Sequence, residues 1–335
     1  MRFTINGKQM EKMKLKAGDR VAIVATARCV EPYMVEPAIE LFKSWNLEVS
    51  LAEGLYERDN YFAGTDEHRA AEFQKAIDDE TVKAIVCVCG GYGTVRMVDR
   101  LNFEAFRRDP KPIVGYSDVT VLHSHVARNC GTMTLHAIMP VNIPKDAATR
   151  HYAATDTLRS CLFDERYKIS FQASNRHNRT GECRAPIVGG NLSVLYSLLG
   201  SASDIDTDGK ILMIEDLDEY LYHVDRMVMA LKRAGKFAHL KGLLVGAMTD
   251  MHETKMPTGF ERLKERVAGV FTGVHNTKPL FGHTAEEIIS SAVAEYDYPV
   301  AFNSPFGHIG DRNVALPLGA EARVNIGDNV VEIDF

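Results

Sequence analysis

A serine lies between a short apolar run and an amphipathic segment in the sequence KPIVGYSDVTVLHSH, residues 111–125. The pattern predicts a strand that ends at Gly115, a tight turn that carries Ser117, and a helix that opens at Asp118. On such a turn a serine hydroxyl stands clear of the sheet, and N–H groups at the start of the helix stabilise developing negative charge. Ser117 is therefore a candidate nucleophile. The second glycine of a GxSxG elbow is absent, so these residues alone favour the alternative that Ser117 or Asp118 only caps the helix.

A serine nucleophile needs a base, and the base needs an acid that orients it. His308 is the candidate base among twelve histidines, because FGHIGDRN places it on a glycine-flanked turn. In isolation, a solvent-exposed turn histidine explains His308 better, and His136 at the end of another strand could also line a cleft. Glu215 ends the apolar strand KILMIED and is the candidate acid, since ligands of α/β proteins bind at the carboxyl ends of parallel strands. The acidic residues that follow it are better suited to capping the next helix.

The turn GGYG, residues 90–93, follows another apolar run. Its backbone N–H groups could face an anion or a tetrahedral oxyanion, and two adjacent glycines let the backbone approach a substrate closely. The spacing differs from G-x-G-x-x-G, and the chain has no phosphate-binding P-loop. We therefore expect no dinucleotide and no other cofactor.

The elements that must position these groups alternate along the chain. In the first half, short apolar runs predict strands at 20–25, 47–51, 83–89, 112–115 and 132–137, with helices at 36–45, 66–79 and 117–129. This order predicts an α/β fold with a Rossmann-like parallel sheet flanked by helices. The second half predicts strands at 185–190, 210–216 and 241–248, helices at 219–235 and 259–271, and a tail of short strands that forms a small β-rich layer.

A polar, turn-rich stretch separates the two halves and predicts the domain organisation. An N-terminal domain at 1–142 carries the candidate nucleophile, a junction spans 143–185, and a C-terminal α/β domain at 186–335 carries the candidate acid and base. A chain of 335 residues is long enough for two domains.

Composition excludes several classes of partner. Lys and Arg number 39 against 45 Asp and Glu, and no basic stripe is present, which argues against nucleic acid and anionic membranes. The N-terminus lacks the apolar region of a secretory signal, and no apolar run is long enough to span a bilayer, so we expect a cytoplasmic protein. Cys87 and Cys89 lie in an apolar strand and are expected to be buried thiols rather than metal ligands, so no metal is expected.

Taken together, the motifs resemble the LD-carboxypeptidase family of serine peptidases, which also contains the microcin immunity peptidase. The resemblance covers nearly the whole chain, and the order and spacing of its motifs make it specific. The motifs are LKAGDRVAIVA, GGYGTVRMVDRLNF, KPIVGYSDVTVLH, VGGNLSVLYSLLG, ILMIEDLDEYLYHVDRM and FGHIGDRNVALPLGAEARV.

The resemblance implies a role for each candidate residue. The nucleophile is Ser117 in GYSD, the acid is Glu215 in IED, and the base is His308 in the GH turn. The oxyanion hole consists of the backbone N–H groups of Gly91 and Asp118, and capping of the helix is left to Asp118. The pocket wall is expected to include Tyr92, Asn191 and Glu219.

The activity that the resemblance implies is removal of a terminal D-alanine from the L-centre of diaminopimelate or lysine in murein peptides. It proceeds through an acyl-enzyme without a metal, and the expected state is a homodimer. Two alternatives stay open. The enzyme could cleave an aminoacyl-nucleotide or peptide-antibiotic conjugate, or the protein could hold a peptide without cleaving it.

Two residues depart from the family pattern near the expected cleft. Cys89 stands where an arginine commonly precedes GGYG, and Ala137 replaces the usual glycine after His136. Neither change removes a member of the implied triad. They affect substrate recognition more than chemistry, because the bidentate grip of an arginine on a carboxylate is hard to replace.

Overall fold

The computed structural model describes residues 14–163, 167–253 and 281–335. The first half forms a parallel sheet, as its continuously apolar runs predict, because central strands that are buried on both faces lack alternation. Its strands are β1 (Arg20–Val24), β2 (Glu48–Leu51), β3 (Val82–Cys87), β4 (Ile113–Gly115) and β5 (Thr134–His136), in the order β2-β1-β3-β4-β5. Its helices are α1 (Glu36–Ser44), α2 (Asp66–Asp78), α3 (Thr94–Met97), α4 (Glu104–Arg108) and α5 (Thr120–Asn129).

A second sheet mixes parallel and antiparallel pairing. The remaining strands are β6 (Lys168–Gln172), β7 (Gly181–Asn191), β8 (Ile211–Leu217), β9 (Gly242–Thr249), β10 (Val300–Ala301), β11 (Leu316–Leu318), β12 (Glu321–Ile326) and β13 (Val330–Asp334). The remaining described helices are α6 (Ala153–Phe163), α7 (Leu192–Ser197), α8 (Leu221–Arg233) and α9 (Ala285–Ala292). The sheet order is β10-β9-β8-β7-β12-β13-β6, parallel from β10 to β7 and antiparallel beyond it. The α/β class is confirmed, and the antiparallel part is the expected β-rich layer. The predicted helix at 259–271 lies outside the described residues.

β11 joins the first sheet rather than the second. It pairs antiparallel with β5, with Leu316 opposite His136 and Leu318 opposite Thr134. Both leucines are buried. The pairing covers a sheet edge that would otherwise present free N–H and C=O groups. The tail was expected to belong wholly to the second domain, but because β11 pairs with β5, the two sheets do not follow the halves of the chain. The domain limits at 142 and 186 stay predictions.

The stretch at 143–185, which the sequence analysis treats as a junction, carries α6, β6 and the first residues of β7. In β6, Ile169 is buried while Lys168 and Ser170 on either side are exposed. A strand with one face toward solvent needs polar residues at every second position. This alternation, together with turn residues around it, explains why the stretch resembled a loop in sequence.

Two glycines of β7 bring the second sheet against α5. Gly189 and Gly190 have φ of +133° and +140°, a region that side chains rarely adopt. A Cβ at Gly189 would lie 2.8 Å from the carbonyl carbon of Met213, and one at Gly190 would lie 2.8 Å from Cγ2 of Thr120. The N–H of Asn191 donates to Oγ1 of Thr120 at 3.0 Å. The VGGN motif therefore fixes β7 to α5, and one buried apolar cluster continues across both sheets.

Candidate active site

Ser117 lies on a strained turn between β4 and α5. Its φ is +62°, and it opens a short 3₁₀ turn, Ser117–Val119, that leads into the helix. A left-handed conformation costs a non-glycine residue about 1–2 kcal/mol, and such strain is concentrated at functional sites. The side chain is partly exposed between the buried residues Tyr116 and Asp118. This is the strand-turn-helix geometry that the sequence predicts for an accessible hydroxyl.

Capping by Asp118, expected from the sequence, is not what the structure shows. The 3₁₀ turn and α5 both begin without a side-chain cap. The buried carboxylate of Asp118 instead accepts a hydrogen bond from the N–H of Thr94 through Oδ2, at 2.8 Å. Burial raises the pKa of this carboxyl. Asp118 therefore ties the end of the GGYG turn to the turn that carries Ser117.

The GGYG turn lies directly against Ser117. A Cβ at Gly90 would lie 3.0 Å from Cβ and 3.1 Å from Oγ of Ser117, so only glycine leaves ordinary contact distance there. The backbone N–H groups of Gly91 and Asp118 donate to no other group among the described residues. From the other side, buried Arg69 donates through Nη1 to the carbonyl oxygen of Gly93 at 3.0 Å. The turn therefore packs on Ser117 at Gly90, is held by hydrogen bonds at Gly93 and Thr94, and keeps two free donors near the serine hydroxyl.

Glu215 and His308 form a hydrogen-bonded pair at the carboxyl end of β8. Nδ1 of His308 lies 2.7 Å from Oε2 of Glu215, which is fully buried. Burial acts to raise the pKa of Glu215, but the contacts with His136 and His308 outweigh it and lower the pKa to about 2. Burial acts to lower the pKa of His308, and the bond to Glu215 outweighs it, so this pKa is raised. The ionised carboxylate of Glu215 therefore favours the protonated form of His308.

A glycine allows the histidine loop to reach the carboxylate. Gly307 has φ +104°, and a Cβ there would lie 2.8 Å from both Cβ and Cδ of Glu215. The hydroxyl of Thr249 in β9 donates to the carbonyl oxygen of His308 at 3.0 Å. A glycine-flanked turn suggests a flexible loop, but these contacts hold His308 in place.

His308 contacts Tyr116, the residue before Ser117, and makes no hydrogen bond to Ser117 itself. The His308 ring packs on the ring of Tyr116, the residue before the serine, with the centroids 4.8 Å apart. No bond from Oγ of Ser117 to His308 is present among the described contacts. Bonds of this kind are often long in unliganded enzymes and tighten when substrate binds. Glu215 and His308 are thus joined directly, and Ser117 is adjacent through Tyr116.

His136 lies next to the pair of Glu215 and His308. From the sequence it was expected only to line the cleft. It is fully buried at the end of β5, where it pairs in register with Gly115. Its Nε2 lies 3.7 Å from Oε1 of Glu215, too far for a good hydrogen bond. Both imidazole nitrogens and Oε1 have no other partner among the described residues. His136 therefore faces the second oxygen of the acid, and its place at the end of a central strand was the available signal.

Asn191 is buried, and most of its amide is already used. Oδ1 accepts from the N–H of Val194 at 3.1 Å and from Oγ of Ser193 at 2.8 Å, which caps α7. Nδ2 donates to Oδ1 of Asp216 at 2.9 Å. Burial and the charge of Glu215 raise the pKa of Asp216 to about 7. One N–H of the Asn191 amide is left for a substrate, and its role in the pocket stays a prediction.

The other two pocket residues differ in exposure. Tyr92 in the GGYG turn is 50% exposed, and its ring lies 6.1 Å from that of Phe62. Glu219, just after β8, is partly buried and accepts from Nδ1 of His223 at 2.6 Å. Half of the Tyr92 side chain is therefore open to a ligand, whereas Glu219 is already paired. Their assignment to the pocket wall stays a prediction.

Cys87 and Cys89 are buried free thiols, as expected, and burial raises the pKa of Cys89 to about 12. Across residues 14–163, 167–253 and 281–335, no group of three His, Cys, Asp or Glu side chains is placed to hold a metal ion. None of the helices in these ranges combines the length and hydrophobicity needed to cross a bilayer.

The fold and the matched sequence regions define a serine carboxypeptidase, a hydrolase. Residues 21–137 match the model of the LD-carboxypeptidase N-terminal domain, and residues 184–324 match that of the LD-carboxypeptidase C-terminal domain. The chain therefore belongs to the LD-carboxypeptidase family, which confirms the resemblance read from its motifs.

Relatives agree over almost the full chain. The Bacillus subtilis (strain 168) protein named "Probable murein peptide carboxypeptidase" is 30% identical over 322 residues, or 96% of this chain and 93% of the relative. The murein tetrapeptide carboxypeptidase of Pseudomonas aeruginosa is 24% identical, over 90% and 92% of the two chains.

Two solved structures share the fold. Muramoyltetrapeptide carboxypeptidase from Oxalobacter formigenes has a TM-score of 0.75 and 24% identity, over 94% of this chain and 98% of that chain. MccF in complex with glutamyl sulfamoyl guanosine has a TM-score of 0.78 and 15% identity, over 100% and 99%. At these identities the likeness shows the fold alone.

Proposed function

We propose that the protein removes the terminal D-alanine from a murein tetrapeptide at the L-centre of its third residue, in cell-wall peptide recycling. The observation that carries the proposal is the 2.7 Å bond between His308 and buried Glu215, next to the strained turn of Ser117. The names of the Bacillus and Pseudomonas relatives support murein peptide as the substrate class.

The first half of the reaction forms an ester. Oγ of Ser117 attacks the carbonyl carbon of the third residue while Nε2 of His308 accepts the hydroxyl proton. The carboxylate of Glu215 stabilises the imidazolium through Nδ1, which fits the raised pKa of His308. The free N–H groups of Gly91 and Asp118 bind the oxyanion. His308 then returns the proton to the amine of D-alanine, which leaves.

The second half hydrolyses the ester. His308 takes a proton from water, the hydroxide attacks the acyl carbon, and the second oxyanion occupies the same N–H groups. His308 then protonates Oγ of Ser117, and the shortened peptide leaves with a new carboxylate. At the end of the cycle Ser117 and His308 have the same protonation states as at the start, so the steps written here use no metal or cofactor.

Release of D-alanine from L-Ala-γ-D-Glu-meso-diaminopimelate-D-Ala tests the proposal. The wild type should release D-alanine, and Ser117→Ala should lower kcat by roughly 10⁴- to 10⁶-fold, as the loss of a nucleophile does. Ser197→Ala, which removes a surface hydroxyl that bonds only to the carbonyl of Val194, is the matched control and should keep wild-type turnover. A Ser117→Ala protein with wild-type turnover would refute the nucleophile.

The same experiment separates the alternatives. A folded wild type that leaves the tetrapeptide intact but cleaves an aminoacyl sulfamoyl nucleotide would assign it to conjugate cleavage. A wild type that binds the tetrapeptide in calorimetry and cleaves neither compound would be a binding protein. We further propose a cytoplasmic homodimer that acts on peptides returned to the cell, which light scattering and cell fractionation would test.

A further inference from the structure

Arg28 is an arginine without a partner at the edge of the candidate active site. It is half-buried, and its guanidinium makes no hydrogen bond or ion pair with any other described residue. Its neighbours differ: Arg69 and Arg96 both pair with Asp66, and Arg58 pairs with Glu31. A half-buried cation that lacks an internal partner is available to an anion from outside.

The Arg28 side chain lies over the proposed oxyanion donor. A Cβ at Gly91 would lie 3.2 Å from Cδ and 3.4 Å from Cγ of Arg28. The same hypothetical Cβ would collide with the hydroxyl of Tyr61, a residue that is 47% exposed. The segments that carry Arg28 and Tyr61 are joined by a hydrogen bond, because the N–H of Cys29 donates to the carbonyl oxygen of Tyr61 at 3.0 Å. A guanidinium and a phenol hydroxyl thus flank Gly91 on the solvent side.

Position 89 cannot supply this cation. Cys89 is fully buried, and its thiol donates to the carbonyl oxygen of Arg28 at 3.3 Å. The charge of Arg28 acts on Cys89 and opposes the effect of burial on its pKa, so the guanidinium is near the thiol as well as Gly91. The positive charge at this part of the cleft therefore comes from position 28, on the neighbouring chain segment.

A carboxypeptidase must recognise the free carboxylate of the residue that it releases. That carboxylate lies one residue beyond the scissile carbonyl, within roughly 3.3–3.6 Å of chain length. A cation for it must therefore stand next to the oxyanion hole. We propose that Arg28, with the Tyr61 hydroxyl beside it, binds the α-carboxylate of the terminal residue and makes the enzyme selective for peptides with a free C-terminus. This inference rests on the proposed function.

The test compares the tetrapeptide with its C-terminal carboxamide. Arg28→Met keeps an aliphatic stem over Gly91 and removes the charge, whereas Arg28→Lys keeps the charge and removes the planar fork. Arg58→Met removes an exposed charge from the same half of the chain and is the matched control. D-alanine or D-alaninamide release gives kcat/KM for each pair, and thermal unfolding checks that each variant is folded.

We expect the wild type to prefer the free acid by about 10- to 100-fold, the value of a charge-assisted hydrogen bond. Arg28→Met should lose that factor on the acid, mainly through KM, and change little on the amide. Arg28→Lys should retain only part of the preference, and Arg58→Met should retain all of it. If Arg28→Met does not fold, Arg28→Gln removes the same charge, and an Arg28→Gln protein with the full wild-type preference overturns the inference.

Two further outcomes would overturn it. Equal losses on acid and amide would make Arg28 a support for Gly91 only, and no loss on either would give it no role. Failure of the proposed function looks different, because the wild type would then release neither product, which overturns both proposals.

Discussion

Replacement of Gly90 by alanine should displace the proposed nucleophile and slow the reaction, with little effect on the fold. Gly90 does not have a positive φ, so its backbone accepts alanine. The new Cβ would lie 3.0 Å from Cβ and 3.1 Å from Oγ of Ser117, and 3.5 Å from the N–H nitrogen of Asp118. Carbon contacts are most favourable at about 3.5–4.0 Å, so the two turns must separate by about half an ångström.

The size of the effect follows from that displacement. A misplacement of about 1 Å costs on the order of 10²-fold in rate, so Gly90→Ala should lower kcat by about 10-fold or more. Overpacking at buried Gly90 should cost about 1 kcal/mol, at the low end of core values, because the Ser117 side chain that it meets is partly exposed. In a chain of this size that lowers Tm by only about 1–2 °C. The assay is kcat on the tetrapeptide, with Tm measured on the same preparation.

Gly327→Ala is a matched control for this experiment. Its added Cβ would also be tight, at 3.2 Å from the carbonyl oxygen of Val330, but in the hairpin between β12 and β13. It should lower Tm by a similar amount and leave kcat unchanged. A Gly90→Ala enzyme with wild-type kcat, or one whose kcat falls no more than that of Gly327→Ala, would refute the close packing of Gly90 on a working nucleophile.

Two further predictions concern the groups around this turn. Asp118→Ala leaves the buried N–H of Thr94 unpaired, so the free energy of unfolding should fall by about 1–3 kcal/mol and kcat should fall with it. Asp118→Asn keeps an acceptor for the N–H of Thr94 and should restore most of the stability and most of kcat. An Asp118→Ala protein as stable and active as the wild type would contradict the role of this hydrogen bond. If His308 is the base, it can accept a proton only when deprotonated, and because its pKa is raised, kcat/KM should fall as the pH drops through a value above 6.5. Glu215→Gln removes the contact that raises this pKa, so its pH profile should shift to lower pH while kcat falls by about 10⁴-fold, and an unshifted profile would contradict the pairing.

The parallel sheet was predictable from the sequence because its central strands are buried on both faces. β4 is wholly apolar, and β1 and β3 contain the continuous apolar runs at 21–24 and 84–87, which local sequence records directly. β6 and the start of β7 alternate, with Ile169 and Ala185 buried between exposed or half-exposed residues, and resembled loops. Pairing of β11 with β5 joins segments far apart in the chain, which no local pattern reveals.

The candidate site was less predictable from the sequence than the parallel sheet. The residues around Ser117 alone favoured a cap, and the resemblance supplied the assignment of Glu215 and His308. Asp118 has the residue type and position of a cap, but a tertiary partner, the N–H of Thr94, binds its carboxylate instead. His136 meets Glu215 only because strands of two different sheets end at one place. Contacts of this kind depend on how the sheets pack, which residue spacing does not encode.

The pairing of β11 with β5 has a consequence for biosynthesis. While the chain is being made, β5 leaves the ribosome long before Leu316–Leu318 can cover its edge. At roughly 5–20 residues per second, the interval is on the order of tens of seconds. His308 is also synthesised in this late stage, so a nascent chain carries Ser117 without its proposed base. A polypeptide released early therefore has an open sheet edge and lacks the proposed base, so we expect it to be a client of chaperones and proteases rather than a weak enzyme.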